Sequence, residues 1–352
     1  MSSNLFSFWT GKNVLITGHT GFKGSWLTVL LHYLGAEVHG ISREKKEGIY
    51  TQANISSLCK KEYFLDISKK NKEEIDKIIA IINPEIVFHF AAQSLVIKSY
   101  EDPSDTVYSN IIGTFNILES ANLNNSIKTL VIATTDKVYK YPNAENNEES
   151  ELGGQDFYSS TKVSAELLIR SYINSQKRNE LSISVIRSGN VIGGGDRAEN
   201  RLITDLVKSL TGSEDFTLRM PKSIRPWQYV LDSLMGYIMV AESSYKNNES
   251  EIYNLNSELN NKYNSQQISQ IMFDTWKPNK NKVQILQNTE IEYKEVDILK
   301  INSKKAKKKL NWYAKYNIQK IIEEIVSWEK HHIENNGPEF SISQVEEFLT
   351  AK

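Results

Sequence analysis

Three glycines at three-residue spacing follow a short apolar run near the start of the chain. The run is NVLIT at Asn13 to Thr17, and Gly18, Gly21 and Gly24 come directly after it in TGHTGFKGSWL. A helical apolar pattern then extends over 24–34. Glycines between a strand and a helix permit a tight turn and let the backbone approach a pyrophosphate, while the helix start offers unpaired N–H groups. We therefore predict a dinucleotide-binding turn, with a helix-capping loop that binds no ligand as the alternative.

Short apolar runs and longer amphipathic ones alternate after this turn. The pattern predicts strands over 37–41, 63–67, 85–92, 129–135 and 183–188, and helices over 71–82 and 105–121. The strands are continuously apolar rather than alternating, which indicates burial on both faces. This predicts an α/β fold, a Rossmann-type doubly wound parallel sheet covered by helices.

The regular alternation of predicted strands and helices ends after about residue 188. We predict a dinucleotide-binding domain over 1–188 and a smaller α/β lobe, mainly substrate-binding, over 189–352. The chain is expected to return to the first domain near 225–257, where EIYNLNS resembles a strand. A helical pattern from 318 onward is expected to pack on the second lobe. The ligand cleft is predicted between the lobes, beyond the carboxyl ends of the strands.

Composition excludes several classes of partner. The 352 residues carry 42 Lys and Arg against 43 Asp and Glu, so the basic surface typical of nucleic-acid binders is not expected. The Lys-rich stretch from Lys300 to Lys309 is interpreted as a solvated helical face. A single cysteine, Cys59, excludes an internal disulfide or a Cys-built metal site, and the six His lack ligand spacing. We expect a cytoplasmic protein with no metal and no membrane span.

Tyr158 and Lys162 form a possible acid/base pair. Four residues apart on a helix, they share one face. An ammonium beside a phenol favours the phenolate, so this Tyr is expected to act as a base closer to neutrality than its reference pKa of about 10. The alternative is an ordinary surface pair. The preceding glycine turn, and the polar residues at the end of the strand over 129–135, favour the catalytic interpretation.

Polar residues also follow two of the predicted strands. Thr135, Asp136 and Lys137 come after the strand over 129–135, where they either cap a turn or bind substrate and transfer protons. Ser42 and Arg43 end the second strand, where an Arg favours a 2′-phosphate on the adenosine ribose. Asp66, closing the third strand, is placed to meet the adenine.

Seven stretches of the sequence together resemble a known family. They are TGHTGFKGSWL, FHFAAQSLV, TTDKVY, YSSTK, RSGNVIGGGD, RLITD and IRPWQYVL. These blocks resemble the extended short-chain dehydrogenase/reductases of the NAD-dependent epimerase/dehydratase group, and within it the CDP-glucose 4,6-dehydratase branch. The resemblance covers nearly the whole chain. It implies a hydro-lyase that uses NAD and acts on CDP-glucose or another nucleotide-hexose.

The resemblance also implies roles for particular residues. Tyr158 would take the C4 hydroxyl proton with support from Lys162, Asp136 would protonate the departing C6 hydroxyl, Lys137 would stand where relatives place the C5 base, and Thr135 would bind the sugar. Other implied coenzyme contacts are Gly18, Thr20, Gly21, Phe22, Lys23, Gly24, Ser42, Arg43, Asp66, Ile67, Ala91, Ala92, Gln93 and Asn110. Implied substrate contacts are Ser94, Thr135, Asn190, Arg201, Leu202 and Arg225.

Two segments depart from the family pattern. KYPNAENNEESELGGQDF replaces a segment rich in Trp and Tyr beside the hexose, and SREKKEGIYTQANI replaces an apolar, proline-containing one after the second strand. NAD is the expected coenzyme and NADP remains the alternative because of Arg43. Alternative functions are a nucleotide-sugar epimerase or reductase, or a dinucleotide-binding regulator. By resemblance we expect a homodimer or homotetramer, paired through the helices over 105–121 and 157–176, and a product used for deoxysugars of surface polysaccharide.

Overall fold

One parallel sheet organises the chain. The computed structural model describes residues 2–68, 72–175, 178, 180–212, 216–218, 220–277, 286–287 and 298–351. The strands of the sheet within these residues are β1 Asn13–Thr17, β2 Glu37–Ser42, β3 Lys61–Phe64, β4 Ile86–His89, β5 Thr129–Ala133, β6 Ser182–Ser188 and β7 Ile252–Leu255. Their spatial order is β7-β6-β5-β4-β1-β2-β3. Two short parallel pairs lie outside it, Val191–Ile192 with Gln228–Tyr229 and Thr217–Leu218 with Leu286–Gln287.

The strand order reverses at β1, which lies between β4 and β2. Thr17 pairs with Ile41 on one side and with His89 on the other. The residues that follow these three strands therefore emerge side by side at one edge of the sheet. Such a switch point is where open α/β sheets bind their ligands.

Helices cover both faces of the sheet. They are α1 Ser2–Trp9, α2 Phe22–Tyr33, α3 Ile49–Gln52, α4 Lys72–Ile82, α5 Val96–Glu101, α6 Pro103–Val107, α7 Gly113–Leu123, α8 Phe157–Ser175, α9 Leu202–Thr211, α10 Val230–Asn247, α11 Ser265–Trp276, α12 Lys304–Leu310, α13 Ile318–Glu334 and α14 Glu339–Thr350. Short 3₁₀ turns cover Ile55–Leu58, Asp136–Val138 and Glu258–Asn260, and a π-helical turn covers Tyr108–Ile112.

The core has two apolar layers, one on each face of the sheet. In β1, Val14 and Ile16 belong to the larger layer, beneath α2, α10 and α13, whereas Leu15 belongs to the layer beneath α4, α7 and α8. Successive side chains of a strand point to opposite faces. Both faces of β1 are covered, and this is why its sequence is apolar throughout.

The predicted fold class is confirmed, and β7 brings the chain back to the sheet beside β6. Several boundaries differ from the prediction, and β4 and β5 end earlier than expected, at His89 and Ala133. β3 ends at Phe64, so Asp66 lies in the following loop, and the single helix expected over 105–121 is divided by the π-helical turn. Division into domains at residue 188 stays a prediction. Within the described ranges, no helix combines the length and apolar character needed to cross a membrane.

Candidate active site

The glycine turn between β1 and α2 is tightly enclosed. Gly18 has φ +77°, and its N–H donates to the Ile41 carbonyl at 2.7 Å. A Cβ on Gly18 would lie 2.7 Å from the Ala91 nitrogen, and a Cβ on Gly24 would overlap the Gly18 carbonyl. The N–H groups of a helix's first turn have no partner within the helix, so α2 presents donors to an anion at this point. The turn therefore fits a dinucleotide pyrophosphate.

Buried polar contacts hold the turn in place. The His19 ring binds the Ser42 hydroxyl through Nδ1 at 2.9 Å and the Glu62 carboxylate through Nε2 at 2.8 Å. The Thr20 N–H donates to the same Ser42 hydroxyl at 3.2 Å. Ser42, predicted as a coenzyme contact, thus also supports the turn. Gly40 is required beneath it because a Cβ there would enter the His19 ring.

His19, Cys59 and Glu62 place their potential ligand atoms within 4.8 Å of one another. The Glu62 carboxylate already accepts hydrogen bonds from the hydroxyls of Tyr50 and Ser56 besides its contact with His19. Burial raises the pKa of the Cys59 thiol to about 12. We interpret this group as hydrogen-bonded support for the turn, and the expectation of no metal stays a prediction.

The loops after β2 and β3 meet at an ion pair. The Arg43 guanidinium donates to Asp105 at 2.7 Å and lies 3.8 Å from Asp66. Asp66 accepts from both the N–H and the hydroxyl of Ser68. Ile67 is tied down as well, since its carbonyl accepts from the Asn116 amide at 2.7 Å.

The loop after β4 carries Ala91, Ala92, Gln93 and Ser94. The Gln93 N–H donates to the Asn110 side chain at 2.8 Å, and the Asn110 amide donates to the Gln93 carbonyl and to the Thr161 hydroxyl. The π-helical turn turns Asn110 inward to make these contacts. Asn110, predicted to touch the coenzyme, therefore joins the loop after β4 to α8. His89 in β4 is bound on both ring nitrogens by Thr17 and Thr114, as expected of a core histidine.

Three of the predicted catalytic side chains, Thr135, Asp136 and Tyr158, act on one another where the end of β5 meets the start of α8. The Thr135 hydroxyl donates to Asp136 at 3.2 Å, and Thr135 acts to lower the Tyr158 pKa against the larger effect of burial. Asp136 is buried, and its Oδ2 has no hydrogen-bond partner within the part of the chain that the structure describes. Burial raises the Asp136 pKa, against opposing effects of Lys137, the Thr135 hydrogen bond and Arg225. A buried carboxyl of this kind favours its protonated form and suits a proton donor.

Tyr158 and Lys162 share a face of α8 as predicted, but their electrostatics differ from the expectation. The Lys162 ammonium donates to the Ala133 carbonyl at 3.2 Å. Burial raises the pKa of Tyr158 to about 12 and lowers the pKa of Lys162 to about 8, since both charged forms lose solvation. The pKa of the phenol in this structure therefore lies further from neutrality than the reference value, because the lost solvation of the phenolate is the largest effect.

Lys23 brings a further positive charge to the same cleft. Its ammonium lies 3.3 Å from the Tyr237 hydroxyl and about 5 Å from the rings of Tyr237 and Phe90. Burial, Lys162 and Arg201 lower its pKa to about 7, and Asp136 opposes them. A Lys in the first turn of a helix opposes the helix dipole. A Lys at this unfavourable position is therefore a signal in the sequence that its ammonium has a role, in addition to the backbone N–H groups.

The predicted substrate residues border this cleft. Arg201 immediately precedes Leu202 and α9, pairs with Asp196 at 2.8 Å and donates to the Ser94 hydroxyl at 3.3 Å. The Asn190 carbonyl accepts from the Gln228 N–H. Arg225 is buried and acts electrostatically on Asp136, as Arg201 does on Tyr158. Two guanidinium groups near the catalytic cluster suit a diphosphate substrate.

The structure also shows a fully buried ion pair that the sequence patterns did not reveal. Glu166, one turn beyond Lys162 on α8, accepts from the Arg187 guanidinium at 2.5–3.1 Å and from the Thr134 hydroxyl at 2.7 Å. Arg187 also donates to the Tyr139 hydroxyl and the Glu148 carbonyl. The pair joins α8, β6 and the residues after β5. The signal was an Arg within the otherwise apolar strand ISVIRS.

Comparison with known proteins agrees with this arrangement. Residues 15–325 match the family model described as GDP-mannose 4,6 dehydratase. CDP-glucose 4,6-dehydratase of Salmonella typhimurium is 36% identical over 338 residues, which cover 92% of each chain.

Solved structures show the same fold. UDP-glucose 4-epimerase of Thermotoga maritima, solved with UDP-glucose, gives a TM-score of 0.78 at 20% identity and covers 91% of this chain and 99% of its own. dTDP-glucose 4,6-dehydratase of Bacillus anthracis, solved with NAD, gives 0.74 at 23% identity, with 92% and 99% covered. Since the family model spans most of the chain and the Salmonella enzyme nearly all of it, the chain belongs to the nucleotide-sugar epimerase/dehydratase family of extended short-chain dehydrogenase/reductases.

Proposed function

We propose that the protein is a CDP-glucose 4,6-dehydratase, which converts CDP-glucose to CDP-4-keto-6-deoxyglucose and water. The near-full-length similarity to the Salmonella enzyme supports the nucleotide and the reaction. The observation that carries the chemistry is the buried Asp136, which has a raised pKa, one oxygen without a hydrogen-bond partner among the described residues, and a hydrogen bond from Thr135. An epimerase or reductase needs the Tyr but has no leaving hydroxyl to protonate.

The coenzyme of this proposal is NAD. Its support is the fit of the glycine turn to a pyrophosphate and the presence of NAD in the Bacillus anthracis relative. When bound, NAD supplies the hydride chemistry, accepting hydride from C4 of the sugar and returning it at C6. Gly18, Gly24 and the first turn of α2 would hold the pyrophosphate, and Lys23 adds a positive charge beside it.

Oxidation at C4 requires a base for the hydroxyl proton. Tyr158 takes this proton as the C4–H bond breaks, and the C4–O bond becomes a carbonyl. Thr135 supports this role because it acts to lower the Tyr158 pKa, against the effect of burial. The Lys162 ammonium, with its pKa lowered to about 8, can pass a proton through this part of the cleft near neutral pH.

Elimination follows because the new carbonyl acidifies the proton on C5. We assign Lys137 as the base that removes this proton, and Asp136 as the acid that protonates the C6 oxygen while the C6–O bond breaks. Water leaves and a C5–C6 double bond forms. Hydride returned at C6 and a proton returned at C5 give the 4-keto-6-deoxy product, which differs from the substrate by one water.

The direct test is incubation of the purified protein with CDP-glucose and no added reductant. We expect a product lighter by one water, detected by mass spectrometry, and little product from UDP-glucose, dTDP-glucose or GDP-mannose. The dinucleotide released on denaturation identifies the coenzyme. Failure of every nucleotide-hexose to lose water would contradict the proposal. A preference for a sugar nucleotide with another nucleobase would change only the assigned nucleotide of the substrate.

Asp136→Asn is expected to separate the two halves of the reaction. The amide cannot donate the carboxyl proton, so dehydration should slow by about a hundredfold or more while C4 oxidation continues in part. Formation of reduced nicotinamide and of dehydrated sugar, followed separately in stopped-flow and by mass spectrometry, measures the two steps. Asp274→Asn on the exposed side of α11 is the matched control. Equal loss of both steps would remove Asp136 from its assigned role.

The acid role also predicts a pH dependence. Asp136 must be protonated to donate, and burial raises its pKa above the ordinary value. The rate of dehydration should therefore fall as the pH rises through this raised pKa. A carboxyl with the ordinary pKa would already be deprotonated at that pH and could not donate a proton.

We also propose a homodimer built on α7 and α8. Tyr108, Ile112 and Phe115 lie at helical spacing and are exposed, as are Leu167 and Leu168 on the neighbouring α8. A contiguous exposed apolar patch of this kind marks an interaction surface. The family resemblance, which implies pairing through the helices over 105–121 and 157–176, supports a second copy of the chain as the partner.

The dimer prediction is tested with Phe115→Glu combined with Leu167→Glu. Two buried carboxylates in each subunit should shift the protein to monomer in analytical ultracentrifugation at micromolar concentration. Ile333→Glu, an equally exposed apolar site on α13, should leave the assembly unchanged. A wild-type protein that sediments as a monomer would refute the proposed interface.

The location and pathway follow from the same proposal. We place the enzyme in the cytoplasm, supported by its single cysteine and nucleotide-linked substrate. A 4-keto-6-deoxy sugar is a reactive intermediate that transaminases, reductases or further dehydratases consume, and we propose deoxysugars of surface polysaccharide as the end product.

A further inference from the structure

The choice between NAD and NADP centres on the first residue after β2. Coenzymes of this fold place the adenosine ribose at the end of the second strand, where a carboxylate accepts its 2′-hydroxyl or an Arg binds a 2′-phosphate. Ser42 ends β2, and its hydroxyl is already bonded to His19 and Thr20. Arg43 is therefore the residue at this position with a charge to offer.

The Arg43 guanidinium is engaged by two carboxylates. It donates to Asp105 at 2.7 Å and lies 3.8 Å from Asp66. The Asp105 hydrogen bond is the largest influence on Arg43 and raises its pKa. The positive charge on which the NADP alternative depends is thus already paired.

Both carboxylates are fixed by their own surroundings. The Asp105 N–H donates to Asp102, which caps the start of α6, and the Ser109 hydroxyl lies 3.4 Å from the Asp105 carboxylate. Asp66 is held by the backbone and side chain of Ser68. Because both acids lie beside the guanidinium, a 2′-phosphate that approached Arg43 would also meet two negative charges. A 2′-hydroxyl would instead find acceptors.

We propose that Asp105 selects NAD over NADP, by holding Arg43 in an ion pair and opposing a 2′-phosphate with its carboxylate. The inference rests on the dinucleotide site of the proposed function but on none of its sugar chemistry. Asp105 lies on α6, about sixty residues from the strand end that usually decides this preference. Asp105 can act on Arg43 because the fold brings α6 against the loop after β2.

Asp105→Asn is the direct test. With full-length protein freed of bound dinucleotide, isothermal titration should show that the wild type binds NADH more tightly than NADPH. The variant should bind NADPH about tenfold more tightly and NADH within about threefold of wild type, because Arg43 becomes available to phosphate while the Asn still occupies the space. Asp102→Asn removes a nearby carboxylate that does not touch Arg43, and should leave the ratio unchanged.

The double variant Arg43→Gln/Asp105→Asn identifies the route of the effect. It should lose the gain in NADPH binding, since that gain depends on the freed guanidinium. Asp105→Ser, which keeps a small polar residue in the first turn of α6, provides a second variant if the Asn protein unfolds. A wild type that binds NADPH at least as tightly as NADH would overturn the proposal, as would a gain that survives in the double variant. A protein with the expected preference that fails to dehydrate CDP-glucose would contradict the proposed function alone.

Discussion

Tyr158→Phe is expected to lower the rate of C4 oxidation by about a thousandfold or more. The substitution removes a single oxygen, the atom that receives the C4 hydroxyl proton, and positioned acid/base groups contribute roughly a hundredfold to ten-thousandfold. The ring keeps its packing on α8. No later step can begin without the C4 carbonyl, so dehydrated product should fall by the same factor.

The Tyr158 prediction is measured as dehydrated CDP-sugar formed per enzyme per second at saturating substrate. Tyr172→Phe, on the same helix but packed on the layer beneath α4, α7 and α8, is the matched control and should stay near wild type. Binding of NAD and CDP-glucose by Tyr158→Phe should change little if the phenol serves chemistry rather than binding. Activity of Tyr158→Phe within tenfold of wild type would exclude Tyr158 as the base.

The pH profile of the first step follows from the same residue. Tyr158 accepts a proton only as the phenolate, and burial raises its pKa to about 12. The oxidation rate should therefore rise with pH through the neutral range instead of levelling off there. A plateau below pH of about 8 would mean that the ligands of the complex lower the Tyr158 pKa, as the sequence pattern had predicted.

Glu166→Gln is expected to destabilise the folded protein by about 3–5 kcal/mol. The amide can still accept from Thr134, but it leaves the fully buried Arg187 charge uncompensated, and loss of one partner of a buried pair costs this much. Because Glu166 follows Lys162 by one turn and binds the residue before Thr135, the variant should also lose activity below its unfolding temperature.

Urea unfolding measured by circular dichroism gives the free energy of unfolding of the Glu166→Gln variant. Lys246→Gln breaks an exposed pair with Glu242 on α10 and should cost less than about 1 kcal/mol. The double variant Glu166→Leu/Arg187→Met removes both charges and should recover much of the loss, since no buried charge is left alone. If Glu166→Gln unfolds like wild type, the pair has no structural role.

Local patterns in the sequence predicted the frame of the fold well. β1 was placed at its observed bounds, and the parallel sheet followed from strands that are apolar on both faces. The glycine spacing identified the turn because a positive φ and a close approach of the backbone are both conditions that a single glycine satisfies. β3 was predicted too far along the chain, over 63–67. The apolar character of YFLDI continues beyond Phe64, which is the last residue of β3.

For the candidate site, the sequence predicted which residues form it but not their contacts, and their roles stay a prediction. The order of TTDK and YSSTK along the chain was enough to name Thr135, Asp136, Tyr158 and Lys162, because strand ends and a following helix bring them together in this fold. Their pKa values were not predictable. Those depend on burial and on partners such as the Ala133 carbonyl, which no spacing reveals.

The sequence by itself determined the fold class, the glycine turn between β1 and α2, and the family, because each is expressed in residues close together along the chain. Only the tertiary structure decided what Arg43 and Arg187 pair with and that Lys23 converges with Lys162 and Arg201. It also decided which oxygen of Asp136 lacks a hydrogen-bond partner among the described residues. Charges far apart in the chain interact only when folding places them within a few ångströms in a medium of low dielectric. That distance is a property of the packed molecule.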